Sequence, residues 1–399
     1  MNYKRLGDYI EPCNEKNIGN KIKLLQGISN RKYFQKAKTN TIGVDLSKYR
    51  IVRTGQFAFN RATTRNGDRI SIALRFKEDC IVSPSYRIFK SKDENILNSE
   101  YLMMWFRRPE FDRYARFRSH GSAHEFFDYD EMCEVTLPIP SIEKQQQIVD
   151  EYNIVTNRIQ LNDKINTNLE ATAQALYKHW FVDFEFPVLN KDGSLSGAEG
   201  YKSSGGKMVY NEELDKEIPV GWSVERLKDV SKITMGQSPS GGSYNDLGNG
   251  KIFYQGRTDF GFRIPTIRSY TSEPKRLAKK GDILMSVRAP VGDLNIANTD
   301  CCIGRGLASI RSNEISYTFY LMKDYKKLFD SNKGTGTIFS SINKDELFDL
   351  KVIYNKIIAN LFEIKINKID TMIFDNCNQT KTLQEVQSLL LAKMTIVEV

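Results

Sequence analysis

Two long stretches of the chain carry an apolar residue at every third or fourth position, which is the period of an α-helix. The first stripe contains Ile148, Tyr152, Val155 and Ile159, then Leu161, Ile165 and Leu169, and it ends at Leu176 and Trp180. Residues 143–181 include neither proline nor glycine. The pattern therefore predicts one unbroken helix of roughly 57 Å.

The second stripe lies at the C-terminal end of the sequence and contains Phe362, Ile366, Ile369, Ile373, Leu383, Val386, Leu390 and Met394. Two helices with such narrow apolar faces bury them well against each other, so we predict an antiparallel coiled coil. The alternative is a pair of surface helices, each packed separately on its own domain.

The segments between these helices alternate apolar and polar residues as strands do, and they occur twice. The paired segments, in the same order in both halves, are 5–9 with 226–230, 55–60 with 281–286, 121–127 with 334–340, 130–132 with 345–347, and 137–140 with 350–353. We interpret the pairs as a duplication of one module. The alternative is a chance similarity between short strand motifs.

Together these patterns predict an α+β fold. It consists of two homologous mixed α/β domains joined by two long antiparallel coiled-coil helices, with a pseudo-twofold relation between the halves. The expected divisions are 1–140 for the first domain, 141–186 for the central helix, 187–217 for a turn-rich linker, 218–353 for the second domain and 354–399 for the last helix.

Charge adds a partner class to this picture. The 399 residues include 58 Lys and Arg against 49 Asp and Glu, a formal net charge of +9, which favours a polyanion such as nucleic acid as the partner.

None of the six cysteines forms a C-x-x-C pair, so we expect reduced, mostly buried thiols. No apolar run suits a signal peptide or a membrane span, and we expect a cytoplasmic protein.

Catalytic motifs are missing from the sequence. It has no P-loop, no G-x-G-x-x-G after a strand, no G-x-S-x-G and no Asp/Asn-Pro-Pro-aromatic tetrapeptide. His120 and His124 flank a glycine and fit polar loop positions better than a metal site. Asp183 and Glu185 alternate with aromatic residues, and the interpretation we favour is a helix end that docks by its aromatics. We therefore predict no catalytic residue and no metal.

Basic residues interleaved with aromatics and glycines are the remaining chemistry, and they occur in both halves. In the first half the predicted DNA contacts are Arg31, Lys32, Arg61, Arg65, Arg69, Arg118, Gly121 and Ser122. In the second half they are Arg257, Arg263, Arg268, Arg288, Arg305, Lys333, Gly334, Thr335 and Thr337. Arginine binds phosphate or guanine with two donors. The alternative for any single arginine is a solvated surface charge.

Four runs carry a family resemblance. They are 169–187, which reads LEATAQALYKHWFVDFEFP, 218–230, which begins IPVGW, the Leu-Pro-Ile-Pro of 137–140, and the glutamines at 145–147. With them the chain resembles the specificity (S) subunits of type I restriction–modification systems over its whole length. One departure is that 351–356 lacks the Pro-Ile-Pro and the glutamine run of the first half, which leaves open whether the two halves bind partners equally.

The resemblance implies two target recognition domains that each read half of a split double-stranded DNA site, and no catalysis or cofactor in this chain. It implies recruitment of two methyltransferase (M) subunits, which use S-adenosylmethionine to methylate adenine N6, and of restriction (R) subunits, which use ATP and Mg²⁺. It further implies partner contacts at Leu176, Tyr177, Trp180, Phe181, Phe184 and Phe186.

The predicted helix is longer than one turn of B-DNA, so we expect a gap of roughly five to eight base pairs between half-sites. Two alternatives remain at this point. One is the specificity subunit of a fused restriction–methylation enzyme. The other is a coiled-coil scaffold without a DNA role.

Overall fold

The computed structural model describes residues 3–37, 43–63, 69–120, 125–187, 207–331 and 341–396. Contacts divide the chain into two compact units. Unit 1 comprises Met1–Ile159 with Thr382–Val399, and unit 2 comprises Gln160–Lys381. The N-terminal unit thus includes the C-terminal end of the sequence. The finer division into domains stays a prediction.

The strands of unit 1 are β1 Tyr3–Arg5, β2 Ile10–Cys13, β3 Gln26–Ile28, β4 Phe34–Lys36, β5 Arg50–Val52, β6 Phe57–Asn60, β7 Ile72–Leu74, β8 Cys80–Val82, β9 Tyr86–Ser91 and β10 Thr136–Pro138. Its short helices are α1 Ser99–Arg107, α2 Pro109–Phe117 and α3 Tyr129–Cys133. The main sheet has the order β2-β9-β6-β7, and the smaller pairs are β1-β10, β3-β4 and β5-β8.

The strands of unit 2 are β11 Met208–Asn211, β12 Lys216–Pro219, β13 Ser223–Arg226, β14 Lys232–Met235, β15 Tyr244–Asn245, β16 Lys251–Tyr254, β17 Ser269–Thr271, β18 Leu277–Ala278, β19 Ile283–Ser286, β20 Leu294–Ile296, β21 Cys301–Ile303, β22 Leu307–Arg311 and β23 Lys351–Tyr354. The shorter helices are α5 Leu227–Val230, α6 Ile315–Ser331 and α7 Lys344–Phe348. The sheets are β14-β22-β19-β20, β15-β17-β16-β21-β18, β13-β23 and β11-β12.

Two long helices complete the fold: α4 Ile142–Phe181 and α8 Lys356–Lys393. They confirm the two helices that the apolar stripes predict. In unit 2, Asn162 Nδ2 on α4 donates to Gln379 Oε1 on α8 at 2.8 Å, and Asn376 Nδ2 donates to Asn166 Oδ1 at 3.0 Å. The residue number rises along one helix as it falls along the other, so the pair is antiparallel, as predicted.

The seam of the helix pair differs from the predicted stripe near its middle. Asn162 and Asn166 are buried there, whereas Leu161 is exposed. On α8 the seam follows the prediction more closely, since Phe362, Ile366 and Ile373 are all fully buried. Buried amides that bond across a helix pair fix its register, because any slip leaves them unpaired.

The duplication is confirmed by the topology of the units taken one at a time. Each has a four-stranded antiparallel sheet of the same order and a two-stranded pair. In this pair the strand just before that sheet in the sequence, β1 or β13, meets the last strand of the unit, β10 or β23. Equivalent hydrogen bonds recur: Tyr101 OH donates to Pro138 O at 3.0 Å in unit 1, and Tyr317 OH donates to Ile353 O at 2.8 Å in unit 2. The same framework therefore carries both halves.

The short helix before the last strand also recurs, and both copies begin with a capping box. Asp128 caps α3 and Asn343 caps α7, each with a glutamate three residues later. Both arrangements satisfy backbone N–H groups that the first turn leaves without partners. Conservation of this device between the halves explains why paired segments occur near 130 and 345.

The start of α4 is anchored by the first residue of the glutamine run. Gln145 is fully buried. Its Oε1 accepts the Asn98 N–H at 2.9 Å, and its Nε2 donates to Ile96 O and Pro140 O at 2.8 Å each. One side chain thus joins the start of α1 to the start of α4.

In unit 2 a different residue joins the start of a shorter helix to a long one. The Glu363 carboxylate on α8 accepts the Ser316 N–H at 2.7 Å, near the start of α6. Burial raises the pKa of Glu363 above its usual range, and the bonds from Ser316 oppose that rise. Glu363 is half-buried, although it is a charged residue of an exposed-looking stretch of the helix. The second half has therefore lost the glutamines but kept the anchor.

No helix within the described ranges is both long enough and apolar enough to cross a bilayer.

Replacing Gln145 with alanine leaves one N–H and two carbonyls without partners, so we expect a loss of about 2–3 kcal/mol in the free energy of unfolding. The matched control is Gln147→Ala, because Gln147 lies exposed on the same helix and bonds only Lys144 and Glu151. That change costs about 0.5 kcal/mol or less. Urea unfolding, with hydrogen exchange at α1, measures both, and equal losses would contradict the anchor.

Candidate nucleic-acid interface

Four loops of unit 2 meet where β14, β16, β19 and β21 end. Gly236 N–H donates to Leu307 O at 2.9 Å, and Gly304 N–H donates to Tyr254 O at 2.9 Å. A Cβ on Gly236 would lie 2.2 Å from Gly304 O, closer than atoms can pack. Glycine is required here because the backbones touch, and the loops form one continuous surface that we call the junction.

Two of the predicted arginines lie at the junction. The Arg305 N–H donates to Ser238 Oγ at 3.2 Å, and Arg305 follows the close contact at Gly304. Arg288 follows Val287, whose N–H donates to Gly306 O at 2.9 Å. The side chains of Arg288 and Arg305 are exposed, and neither forms a salt bridge with any described residue. Such free guanidinium groups suit phosphate or the edge of guanine.

Two other predicted arginines of unit 2 are exposed but already have acidic neighbours. Arg257 is 57% exposed and pairs with Asp293. Arg268 is 60% exposed, and its Nε lies 4.0 Å from Asp259. A phosphate would compete with these carboxylates, so the two arginines are weaker candidates than Arg288 and Arg305.

Unit 1 gathers its arginines around one carboxylate. Asp128 Oδ1 accepts from Arg87 Nε at 2.6 Å, and Asp128 Oδ2 accepts from Arg61 Nη1 at 3.2 Å. Burial raises the pKa of Asp128, but the bonds from Arg87, the Tyr129 N–H and Arg61 lower it overall. Two guanidinium groups on one carboxylate leave net positive charge. Arg87 was not predicted from the sequence, because a single arginine on a strand has no sequence feature that separates a binding residue from any other surface residue.

The other predicted contacts of unit 1 that the structure describes are Arg31, Arg69 and Arg118. The first two are exposed, and Arg118 is half-buried at the end of α2. Next to it, Phe117 is 81% exposed. Arg65, Gly121, Ser122, Lys333, Gly334, Thr335 and Thr337 lie outside the described residues.

Two predicted DNA contacts are corrected by their burial. Lys32 is 7% exposed, and its Nζ lies 2.8 Å from Asp112 Oδ1. Burial lowers the pKa of Lys32, and Asp112 opposes that shift. Arg263 is 1% exposed and is also paired with carboxylates. Neither side chain reaches a ligand on the surface, because each is held inside its own unit.

The predicted partner contacts at the end of α4 are corrected in the same way. Tyr177, Trp180, Phe181 and Phe184 are buried, and Leu176 and Phe186 are partly buried against the same core. The ring centroid of Phe181 lies 4.7 Å from that of Tyr317 and 5.4 Å from that of Phe362. The run is thus a helix end docked by its aromatics, the interpretation that the sequence favours for this segment.

One of the carboxylates among these aromatics is paired within its own helix end. Asp183 accepts from Lys178 Nζ at 2.7 Å on the same helix end. Among the described residues, no group of three or more His, Cys, Asp or Glu side chains is placed to hold a metal ion.

The family match occurs twice, once in each half of the duplicated chain. The family described as "Type I restriction modification DNA specificity domain" matches the chain twice, at residues 10–171 and 219–377. The chain belongs to this family. As a specificity subunit of the type I kind, it recognises DNA and has no catalysis of its own.

Relatives in two organisms agree with this assignment. The putative type I restriction enzyme MjaX specificity subunit of Methanocaldococcus jannaschii is 28% identical, covering 77% of this chain and 69% of the relative. The type I restriction enzyme HindI specificity subunit of Haemophilus influenzae is 23% identical, covering 92% and 91%. The solved S subunit from M. genitalium shares the fold, with a TM-score of 0.54 at 12% identity over 100% of this chain and 96% of that one.

If the aromatic run belongs to the core, Phe181→Ala destabilises the isolated chain by about 3–5 kcal/mol, because a large buried side chain is lost. Val182, next to it and 40% exposed, is the control, and Val182→Ala changes stability by about 0.5 kcal/mol or less. Thermal unfolding without any partner measures both. A Phe181→Ala chain as stable as the wild type, but defective in partner binding, would restore the partner-contact interpretation.

Proposed function

We propose that the chain reads a bipartite double-stranded DNA site, one half-site with each recognition module, taken as residues 1–140 and 218–353. The observation that carries this proposal is the junction of unit 2. There, Arg288 and Arg305 are exposed, form no salt bridge with a described residue and lie on loops whose glycine backbones touch. Closely packed loops limit the geometries in which donors are presented, which base recognition requires.

The two modules share a framework but present different chemistry. Unit 1 offers the cluster of Arg61 and Arg87 around Asp128, with the Arg61 guanidinium 4.6 Å from the Phe126 ring centroid. Unit 2 offers the exposed Arg288 and Arg305 on the loops of the junction. Different side chains on one framework read different bases, so the proposed site is asymmetric.

The chain acts with partners that supply the chemistry. Two methyltransferase (M) subunits bring S-adenosylmethionine and methylate adenine N6 in the recognised site. Restriction (R) subunits bring ATP and Mg²⁺ and cut DNA. The relatives named as type I restriction enzyme specificity subunits support this division of labour. This chain contributes the choice of sequence.

The M subunits dock on the exposed faces of the long helices, since the aromatic run is buried. On α8 the exposed apolar side chains are Ile357 at 56%, Ile364 at 64% and Met372 at 53%. Their spacing of seven and eight residues places them on one face of the helix. An exposed apolar stripe of this kind marks a protein contact.

The two docking faces are chemically unequal. The two helices begin at Ile142 and Lys356, an offset of 214 residues, so Ile357, Ile364 and Met372 correspond to Glu143, Asp150 and Arg158 of α4. All three positions are charged in the first half and apolar in the second. The difference in sequence between the two halves, which begins at 351–356, therefore extends to the surface of α8 that we propose binds an M subunit.

The test compares Arg305→Ala and Arg288→Ala with Lys232→Ala, each chain assembled with its M subunit. Lys232 is exposed in the same unit, at the opposite end of β14 from the junction. We expect each arginine change to weaken cognate DNA binding by about 5–150-fold if it contacts a base. If it contacts phosphate, it lowers the slope of log affinity against log salt by about 1.

Fluorescence anisotropy across a salt series measures both quantities. Lys232→Ala is expected to bind like the wild type. If the arginine variants bind as the wild type does at every salt concentration, the junction is not the interface.

A further inference from the structure

Arg263 belongs to a loop that is firmly part of the second recognition module. The Ile296 N–H donates to Arg263 O at 2.8 Å, which ties the loop to β20. Gly261 and Asn295 exchange two further bonds: Gly261 N–H donates to Asn295 Oδ1 at 3.0 Å, and Asn295 Nδ2 donates to Gly261 O at 3.1 Å. The loop backbone therefore moves with the module.

The side chain of Arg263 points the other way, into the helices of unit 2. Its Nη2 lies 3.2 Å from Glu170 Oε1 on α4, and its Nη1 lies 3.4 Å from Asp370 Oδ1 on α8. Nη2 also donates to Tyr320 OH on α6 at 3.0 Å. The guanidinium carbon lies 4.0 Å from the ring centroid of Phe319. One arginine thus connects its loop to α6 of the same module and to both long helices.

The surrounding charges keep this buried group in place. Glu170 Oε2 also pairs with Lys323 Nζ at 2.5 Å, and Tyr320 OH donates to Asp370 Oδ1 at 3.0 Å. A buried charge is tolerated only while its partners hold good geometry, and loss of one partner leaves the others uncompensated. A planar guanidinium between two carboxylates permits few orientations.

We propose that Arg263 is a positioning residue, which fixes the orientation of the second recognition module on the helix pair and thereby sets how accurately this module reads its half-site. The proposal rests on the proposed DNA-reading function. Apolar packing alone permits small shifts of a module on a helix, whereas moving the guanidinium away from Glu170, Asp370 and Tyr320 would leave a buried charge without its partners. A module that can shift presents Arg288 and Arg305 in several geometries. Its ability to distinguish cognate from substituted DNA then falls before its overall affinity for DNA does.

The experiment compares Arg263→Met and Arg263→Lys with Arg311→Met. Arg311 pairs with buried Asp282 at 2.6 Å inside the sheet of the same module, without a bond to α4 or α8. Arg311→Met thus breaks another arginine–carboxylate pair of unit 2, although the Arg311 side chain is 42% exposed, and leaves the Arg263 contact intact. Each chain is assembled with its M subunit, and the half-site read by unit 2 is the one affected by Arg305→Ala.

The quantity measured is the mismatch penalty, which is the ratio of dissociation constants for singly substituted and cognate duplexes. A wild-type penalty is about 5–150-fold. We expect Arg263→Met to reduce the unit 2 penalty several-fold and leave the unit 1 penalty unchanged. Arg263→Lys keeps the charge but not the planar group, so its unit 2 penalty is expected to lie between the penalties of Arg263→Met and the wild type. Arg311→Met is expected to keep both penalties even where its melting temperature falls.

Equal behaviour of Arg263→Met and Arg311→Met would overturn the proposal, since the arginine would then serve stability alone. If Arg263→Met fails to fold, Glu170→Gln with Asp370→Asn weakens the same contact and leaves the arginine present. That pair is expected to lower the unit 2 penalty in the same direction, and an unchanged penalty counts against the proposal. A wild-type complex without any mismatch penalty would instead reject the proposed function itself.

Discussion

Burial of one face of each long helix is the constraint on which both units depend. In unit 1, Val149 and Tyr152 of α4 share a core with Met394, which comes from the last residues of the sequence. In unit 2, Trp180 of α4 shares a core with Phe362 of α8. Each core is therefore assembled from segments far apart in the chain. Neither recognition module is complete without helix residues from the other half of the sequence.

This constraint explains which parts of the fold the sequence predicts. A helix of 40 residues without proline or glycine shows its period plainly, and a duplication shows itself as paired motifs. Both features are local patterns or repeats of local patterns. The buried amides of Asn162 and Asn166 could not be predicted in this way, because their partners lie more than 200 residues away.

The candidate site was harder to predict for the same reason. Arginine and lysine have the same appearance in a sequence whether they face solvent or a buried carboxylate. Lys32 and Arg263 sit among basic and glycine residues like true surface contacts, and only tertiary structure supplies Asp112 and Glu170 as their partners. Arg288 and Arg305 are exposed, as residues of loops that follow strands usually are, and their contact with DNA stays a prediction.

The most direct test of the account expresses the chain together with its methyltransferase subunit and maps N6-methyladenine by single-molecule sequencing. We expect one asymmetric motif in two parts with a fixed gap, methylated only when the chain is present. Methylation of the same sites without the chain, or of a single uninterrupted motif, would contradict the claim that two modules of this chain choose the site.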